Sequence, residues 1–269
     1  MADQFYDVTN AARRALHRAY IRKCLENFAT NANVIQFTSA EFTGPLSFMQ
    51  FWLDTIGEWQ RETGRRALVA LSCTKDVQDA ILADPQRSSL VDVVDFRYWW
   101  NTHQGTLAPR GGQSLAPRQF ERQWKGGRPT DLNLAQMAAE YRRRCPGKAL
   151  ICDFTQRGWA FLCAGGSIPN LPKTTDRALL AAIPRLQPWP EASGSARWVL
   201  RGQGAYLVYL GREANPVLDL SHEGGTFVAK RVDLGTGQLT VVSQTVAGDK
   251  RTRLPKSPDA ADILWLTKQ

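Results

Sequence analysis

The feature that most constrains this chain is a change of period near residue 190. Before it, stretches with apolar residues at helical spacing alternate with short apolar, β-branched runs. After Pro188-Trp189-Pro190 the helical spacing stops, and β-rich runs alternate with Gly, Asn and Asp turns. Strands alternating with helices predict a parallel sheet, because two parallel strands need a long crossover between them. Closely spaced strands with tight turns predict a small antiparallel sandwich. The expected architecture is an α/β module over residues 1–190 followed by an all-β domain over 191–269.

In chain order, residues 9–29 form a helix with Ala12, Leu16, Tyr20, Cys24, Leu25 and Phe28 on one face, started by Thr9 or Asn10. A strand over 34–39 follows, and the carboxylate of Glu41 stands where that strand ends. Gly44-Pro45 launches a second helix whose buried stripe is Phe48, Trp52, Ile56 and Trp59, and Gly64 stops it. Residues 67–72 and 91–96 read as strands covered on both faces, with a short helix over 76–82 between them. A long stretch dense in Gly, Pro, Arg and Gln follows Tyr98-Trp99-Trp100. Loops of that length are usually functional or disordered, and its aromatics and arginines argue for binding. A helix Asp131–Arg144, a strand over 149–153, a short helix over 158–164, a strand over 167–171 and a helix over 174–186 complete the first module. The second holds strands at 198–201, 205–210, 217–220, 226–232, 239–244 and 263–266, with a hairpin signal at 233–237.

Composition narrows the function. At 269 residues the chain can bury a sizeable core, and its nine Trp suit a globular protein. The net charge of +9 is spread along helix faces among acids, with no nucleic-acid motif, so nucleic acid is not an expected partner. No apolar run approaches the ~20 residues of a membrane-spanning helix, and no basic-then-apolar leader is visible. Five Cys form no CxxC pair and three His lie far apart, so neither a disulfide framework, a metal site nor another cofactor is expected.

The stretch Arg18-Ala-Tyr-Ile-Arg22, then Asn33-Val-Ile and a strand ending in Glu41, then repeated strand–helix units, resembles the clan A glycoside hydrolases. These are (β/α)8 barrels that include family 5. The tail, with Ala205-Tyr-Leu-Val-Tyr-Leu210 and Val217-Leu-Asp-Leu-Ser221, resembles the C-terminal β-sandwich that some of them carry and that is named for collagen binding. The resemblance implies a partial TIM-type barrel, with strand four at 34–39, five at 67–72, six at 91–96, seven at 149–153 and eight at 167–171. Strands one to three have no counterpart. It therefore implies a fragment of a longer product, or closure by association with itself or another chain. A full-length relative would be secreted or periplasmic.

Glycoside cleavage needs two carboxylates flanking the bond, one as acid and one as nucleophile or base. The resemblance gives the acid/base role to Glu41, although Ala40 stands where the family has Asn. The second role falls to Asp153, where the family has Glu. The plain alternatives are helix caps: Glu41 ahead of the helix after Pro45, Asp153 ahead of Gln156. Asp95 and Asp76 are the other acids near strand ends. Arg97, Tyr98, Trp99 and Trp100 follow strand six and would contact a sugar, whose C–H faces pack on aromatic rings. At least one of these Trp residues could equally be core. His103, Arg118 (with Arg110) and Lys75 are further candidates for substrate binding. The expected ligand is a carbohydrate. The alternative function is a non-catalytic carbohydrate- or protein-binding module derived from a truncated barrel.

Overall fold

Asn10 starts the first long helix, its side chain accepting the backbone N–H of Arg13 at 3.0 Å. From there the computed structural model describes residues 2–39, 42–96, 99–101, 107–108, 129–152, 158–194, 197–211, 213, 215–255 and 261–269. They build two compact units, Met1–Pro129 with Arg143–Phe154, and Thr130–Arg142 with Thr155–Gln269.

The first unit contains α1 (Ala2–Tyr6), α2 (Ala11–Asn27), β1 (Ile35–Phe37), α3 (Leu46–Thr63), β2 (Leu68–Leu71), α4 (Lys75–Ala83), α5 (Pro85–Ser88), β3 (Val93–Asp95), β4 (Trp100–Asn101), β5 (Leu107–Ala108) and β6 (Ala149–Ile151). β1, β2, β3 and β6 form one parallel sheet in that order, and β4 pairs with β5. Residues 34, 38–39, 67, 72, 91–92, 96 and 152, expected at strand ends, lie outside the bounds of these strands, although Ser72, Asp92 and Phe96 still hydrogen-bond to a neighbouring chain segment.

α3 is the centre of this unit's core. Its Met49, Leu53 and Ile56 are fully buried, and Phe48, Trp52 and Trp59 nearly so. Pro45 precedes its first turn in extended backbone, and Gly64 ends it at φ 66°, a left-handed conformation that only glycine adopts without cost.

α2 departs from expectation. It buries Ile21 and Leu25, whereas Leu16 and Tyr20 are each 72% exposed and Phe28 is 47% exposed. The helix is rotated so that Ile21 and Leu25 meet α3, and its most apolar face borders an open groove of about 730 Å³. Phe37, Phe42, Phe48 and Trp52 line the opposite wall of that groove.

α5 hangs on Asp84. This carboxylate accepts the backbone N–H groups of Gln86 (3.0 Å) and Arg87 (3.2 Å) and pairs with the Arg87 guanidinium, which also grips Asp54 by two 2.9 Å bonds. The Arg87 backbone N–H, with help from its guanidinium, holds the Asp84 pKa below the ordinary carboxylate value against an opposing cost of desolvation. A depressed carboxylate stabilises the fold above its unfolded pKa, and the effect is lost as pH falls through the lower folded pKa. Asp84→Asn is therefore expected to lower Tm at pH 7 by a margin that shrinks through the acid range. Thermal melts of both proteins from pH 7 to pH 2 measure it, and a constant margin would refute it.

The second unit takes Asp131 to Arg142 of α6 (Asp131–Arg144), then α7 (Trp159–Cys163) and α8 (Arg177–Ala182). Its strands are β7 (Gln187–Pro188), β8 (Arg197–Gly202), β9 (Ala205–Leu210), β10 (Val217–Asp219), β11 (Thr226–Val232), β12 (Leu239–Ala247), β13 (Arg251–Arg253) and β14 (Asp262–Lys268). Six form an antiparallel sheet, β12-β11-β14-β9-β8-β7, and β10 pairs with β13. β9 is buried at every position from Tyr206 to Leu210. One face joins the cluster of Val199, Leu218, Phe227 and Leu264, while α7 packs on β8 and β9.

Two expected elements change here. Residues 167–171, expected as strand eight, are not a strand: Ile168 sits at φ 50°, and Pro169 has no N–H to give a ladder. The expected helix over 174–186 begins only after Asp176, which caps α8 by accepting the N–H groups of Ala178 and Leu179. It then tightens into a 3-10 turn at Ile183–Arg185, around Pro184.

Candidate active site

A parallel sheet puts the carboxyl ends of all its strands on one edge, and in such folds that edge is where ligands bind. The residues that leave β1, β2, β3 and β6 there are therefore the ones to follow.

After β1, Phe42 returns to the sheet. Its N–H donates to the Ser72 carbonyl at 2.8 Å, and it bridges Cys73 in parallel. Phe37 pairs with Ala70, so between the two bridges the β1 side has two more residues than the β2 side. Phe42 is 1% exposed and is held by Tyr6 (ring centroids 5.5 Å) and Phe48 (6.0 Å).

After β2, Cys73 is buried, and burial, then the nearby charges of Asp76 and Asp79, push its thiol pKa well up, so it is a packing residue and no nucleophile. Its carbonyl accepts the indole N–H of Trp99 at 3.3 Å. Lys75, at the start of α4, holds its ammonium 5.1 Å from the centre of the Trp99 ring and 2.8 Å from Asp79. Asp79 also takes Arg144 at 2.7 Å. After β3, Phe96 extends the ladder by donating to the Ile151 carbonyl at 2.9 Å, and Asp95 is 1% exposed. Among the described residues no grouping of His, Cys, Asp and Glu could hold a metal ion.

Of the residues expected from sequence, Lys75 and Trp99 lie together on this edge. Trp99 is 2% exposed, its edge against Phe96 and the Lys75 ammonium over its ring. Those surroundings fit the packing alternative the sequence left open for it. Trp100 is described through its backbone, in β4 opposite Ala108. Glu41, Asp153, Arg97, Tyr98, His103, Arg110 and Arg118 lie outside the described residues.

Sequence reasoning missed Thr74 and Gln78. Both are buried on the same side of α4 as Val77 and Ile81. The available signal was a glutamine inside an otherwise apolar helical stripe.

A family model, the domain of unknown function DUF6298, matches residues 1–186. This chain belongs to the DUF6298 family. No curated protein matches it. Two solved structures share the fold of this DUF6298 chain. One is described as a glycoside hydrolase, with TM-score 0.56 and 12% identity over 94% of this chain and 68% of its own. The other is a glycoside hydrolase family 5 protein from Bacteroides vulgatus, with TM-score 0.56 and 13% identity over 93% of this chain and 66% of its own. The DUF6298 chain thus spans about two thirds of the length of either structure.

Proposed function

We propose that this chain is a glycoside hydrolase-like protein that acts on a poly- or oligosaccharide by carboxylate acid/base catalysis. The observation that carries the proposal is the return of the chain at Phe42, the residue after Glu41, to the carboxyl end of β2. In this reading the carboxylate of Glu41, the residue before that anchor in the sequence, is the one that serves the edge where such a sheet does its chemistry. The likeness of fold to two glycoside hydrolases supports the reaction class. In this reading β1, β2, β3 and β6 are barrel strands four to seven, and the antiparallel unit is an accessory domain.

Glu41 protonates the departing oxygen, and Asp153, the first residue after Cys152 at the end of β6, is the second carboxylate. A separation of ~5 Å would make Asp153 a nucleophile with retention, and ~6.5–9.5 Å would make it the base for a water with inversion. The shorter Asp side chain widens the gap relative to Glu.

Release of reducing ends from β-glucan, xylan and mannan tests the proposal. Release from at least one is expected, and none from all three would sink hydrolysis. A second reading, a non-catalytic carbohydrate- or protein-binding module, is favoured by Ala40 and Asp153, where the family pattern has Asn and Glu. Glycan binding without turnover would select it.

A further inference from the structure

Polar side chains that are buried without hydrogen bonds are costly, and each calls for an explanation. The turn from β2 into α4 holds three. Gln78 is fully buried, and neither its Oε1 nor its Nε2 meets a hydrogen-bonding partner among the described residues. Thr74, 7% exposed, occupies the N-cap position, yet its Oγ1 makes no cap bond and no other. Both carboxylate oxygens of Asp76 are shielded from solvent and likewise unpartnered.

Helix geometry draws these groups towards one place. Residues 74 and 78 are four apart and stand one above the other, and helical side chains lean towards the N-terminus. Gln78 and Thr74 therefore share one side of α4 near its first turn, whose N–H groups an N-cap without a side-chain bond leaves open. This helix start follows directly on the carboxyl end of β2, beside Lys75 and Trp99.

The chemistry of the set selects its ligand. A helix start alone would favour an anion, but the Asp76 carboxylate in the same turn repels one. A metal cation would meet the Lys75 ammonium and the helix's positive end. Sugar hydroxyls, which donate and accept at once, satisfy all three groups. They donate to Asp76 and to Gln78 Oε1, and they accept from Gln78 Nε2, Thr74 or a backbone N–H.

We propose that Thr74, Asp76 and Gln78 form a subsite for the hydroxyl groups of a bound glycan. The inference rests on the carbohydrate reading above for the class of ligand, and not on hydrolysis.

The experiment is calorimetric titration of the full chain with cellohexaose, xylohexaose and mannohexaose, and separately with inorganic phosphate. Gln78→Leu and Thr74→Val keep the shape and remove the polar atoms. The wild type is expected to bind at least one hexaose and not phosphate. Each variant should lose about tenfold in affinity, the usual consequence of one lost hydrogen bond to a ligand. Each variant without ligand should melt at the same temperature as the wild type or higher, because an unpaired buried polar group has been replaced by an apolar one. A wild type that binds no hexaose, variants with unchanged affinity, phosphate binding lost in the variants, or a sharp fall in Tm in both would each overturn the subsite. Failure of hydrolysis is a separate result: binding weakened by Gln78→Leu in a protein that releases no reducing ends keeps the subsite and removes the enzyme.

Discussion

Glu41→Gln is expected to reduce glycan hydrolysis by about 10²–10⁴-fold, the usual contribution of a positioned general acid or base. The amide preserves size and can hydrogen-bond, but it has no acidic proton to give the leaving oxygen. The loss should therefore depend on the leaving group. On an aryl glycoside with a very acidic phenol, which departs without protonation, bond cleavage should be slowed far less than on a natural glycan. Circular dichroism and Tm should match the wild type, because in this reading Glu41 acts on the substrate and not as a helix cap; a fall in Tm would select the cap. Turnover of natural glycan at the wild-type rate would remove Glu41 from the mechanism. An equal loss on both substrates would assign it a role other than proton donation.

The second large effect is structural. Phe42→Ala is expected to destabilise the first unit by about 3–5 kcal/mol, the range for truncating a buried Phe to Ala. Phe42 is almost wholly buried between Tyr6 and Phe48, and a Cβ built on Gly44 would lie 2.5 Å from its ring, so no room is left on that side. Emptying that space leaves the α3 core one ring short and weakens the anchor that follows Glu41. Denaturant unfolding measures the stability term, and glycan turnover at a temperature where the variant stays folded measures the positional one. Phe42→Leu, which refills much of the volume, should recover most of both. A loss below about 1 kcal/mol in Phe42→Ala would mean that the site collapses around the truncation, and Phe42 would no longer count as the anchor.

Much of this fold was legible in the sequence, because strong local signals agreed with the burial that followed. The stripe Phe48, Trp52, Ile56, Trp59 is buried, Asn10 and Gly64 bound their helices, and β9 and β11 begin and end where their β-rich runs do. Where sequence reasoning failed, a second element or a proline decided. The spacing that favoured Leu16 and Tyr20 as the inner face of α2 is equally compatible with a rotation that buries Ile21 and Leu25, and packing on α3 chose the latter. Residues 167–171 have strand-like composition but no ladder, since Pro169 cannot donate. At the site, residues at strand ends were easy to name from their positions. The buried amide of Gln78 was not, because a glutamine on a helix reads as a solvated side chain until the helix is seen to turn it inward.

The outward apolar face of α2 has a calorimetric consequence. The heat capacity of unfolding comes mainly from apolar surface that passes from the interior into water. Leu16 and Tyr20 are largely in water before unfolding begins, so they add little to that passage. The first unit should therefore have a smaller heat-capacity increment than its length suggests and a flatter curve of stability against temperature.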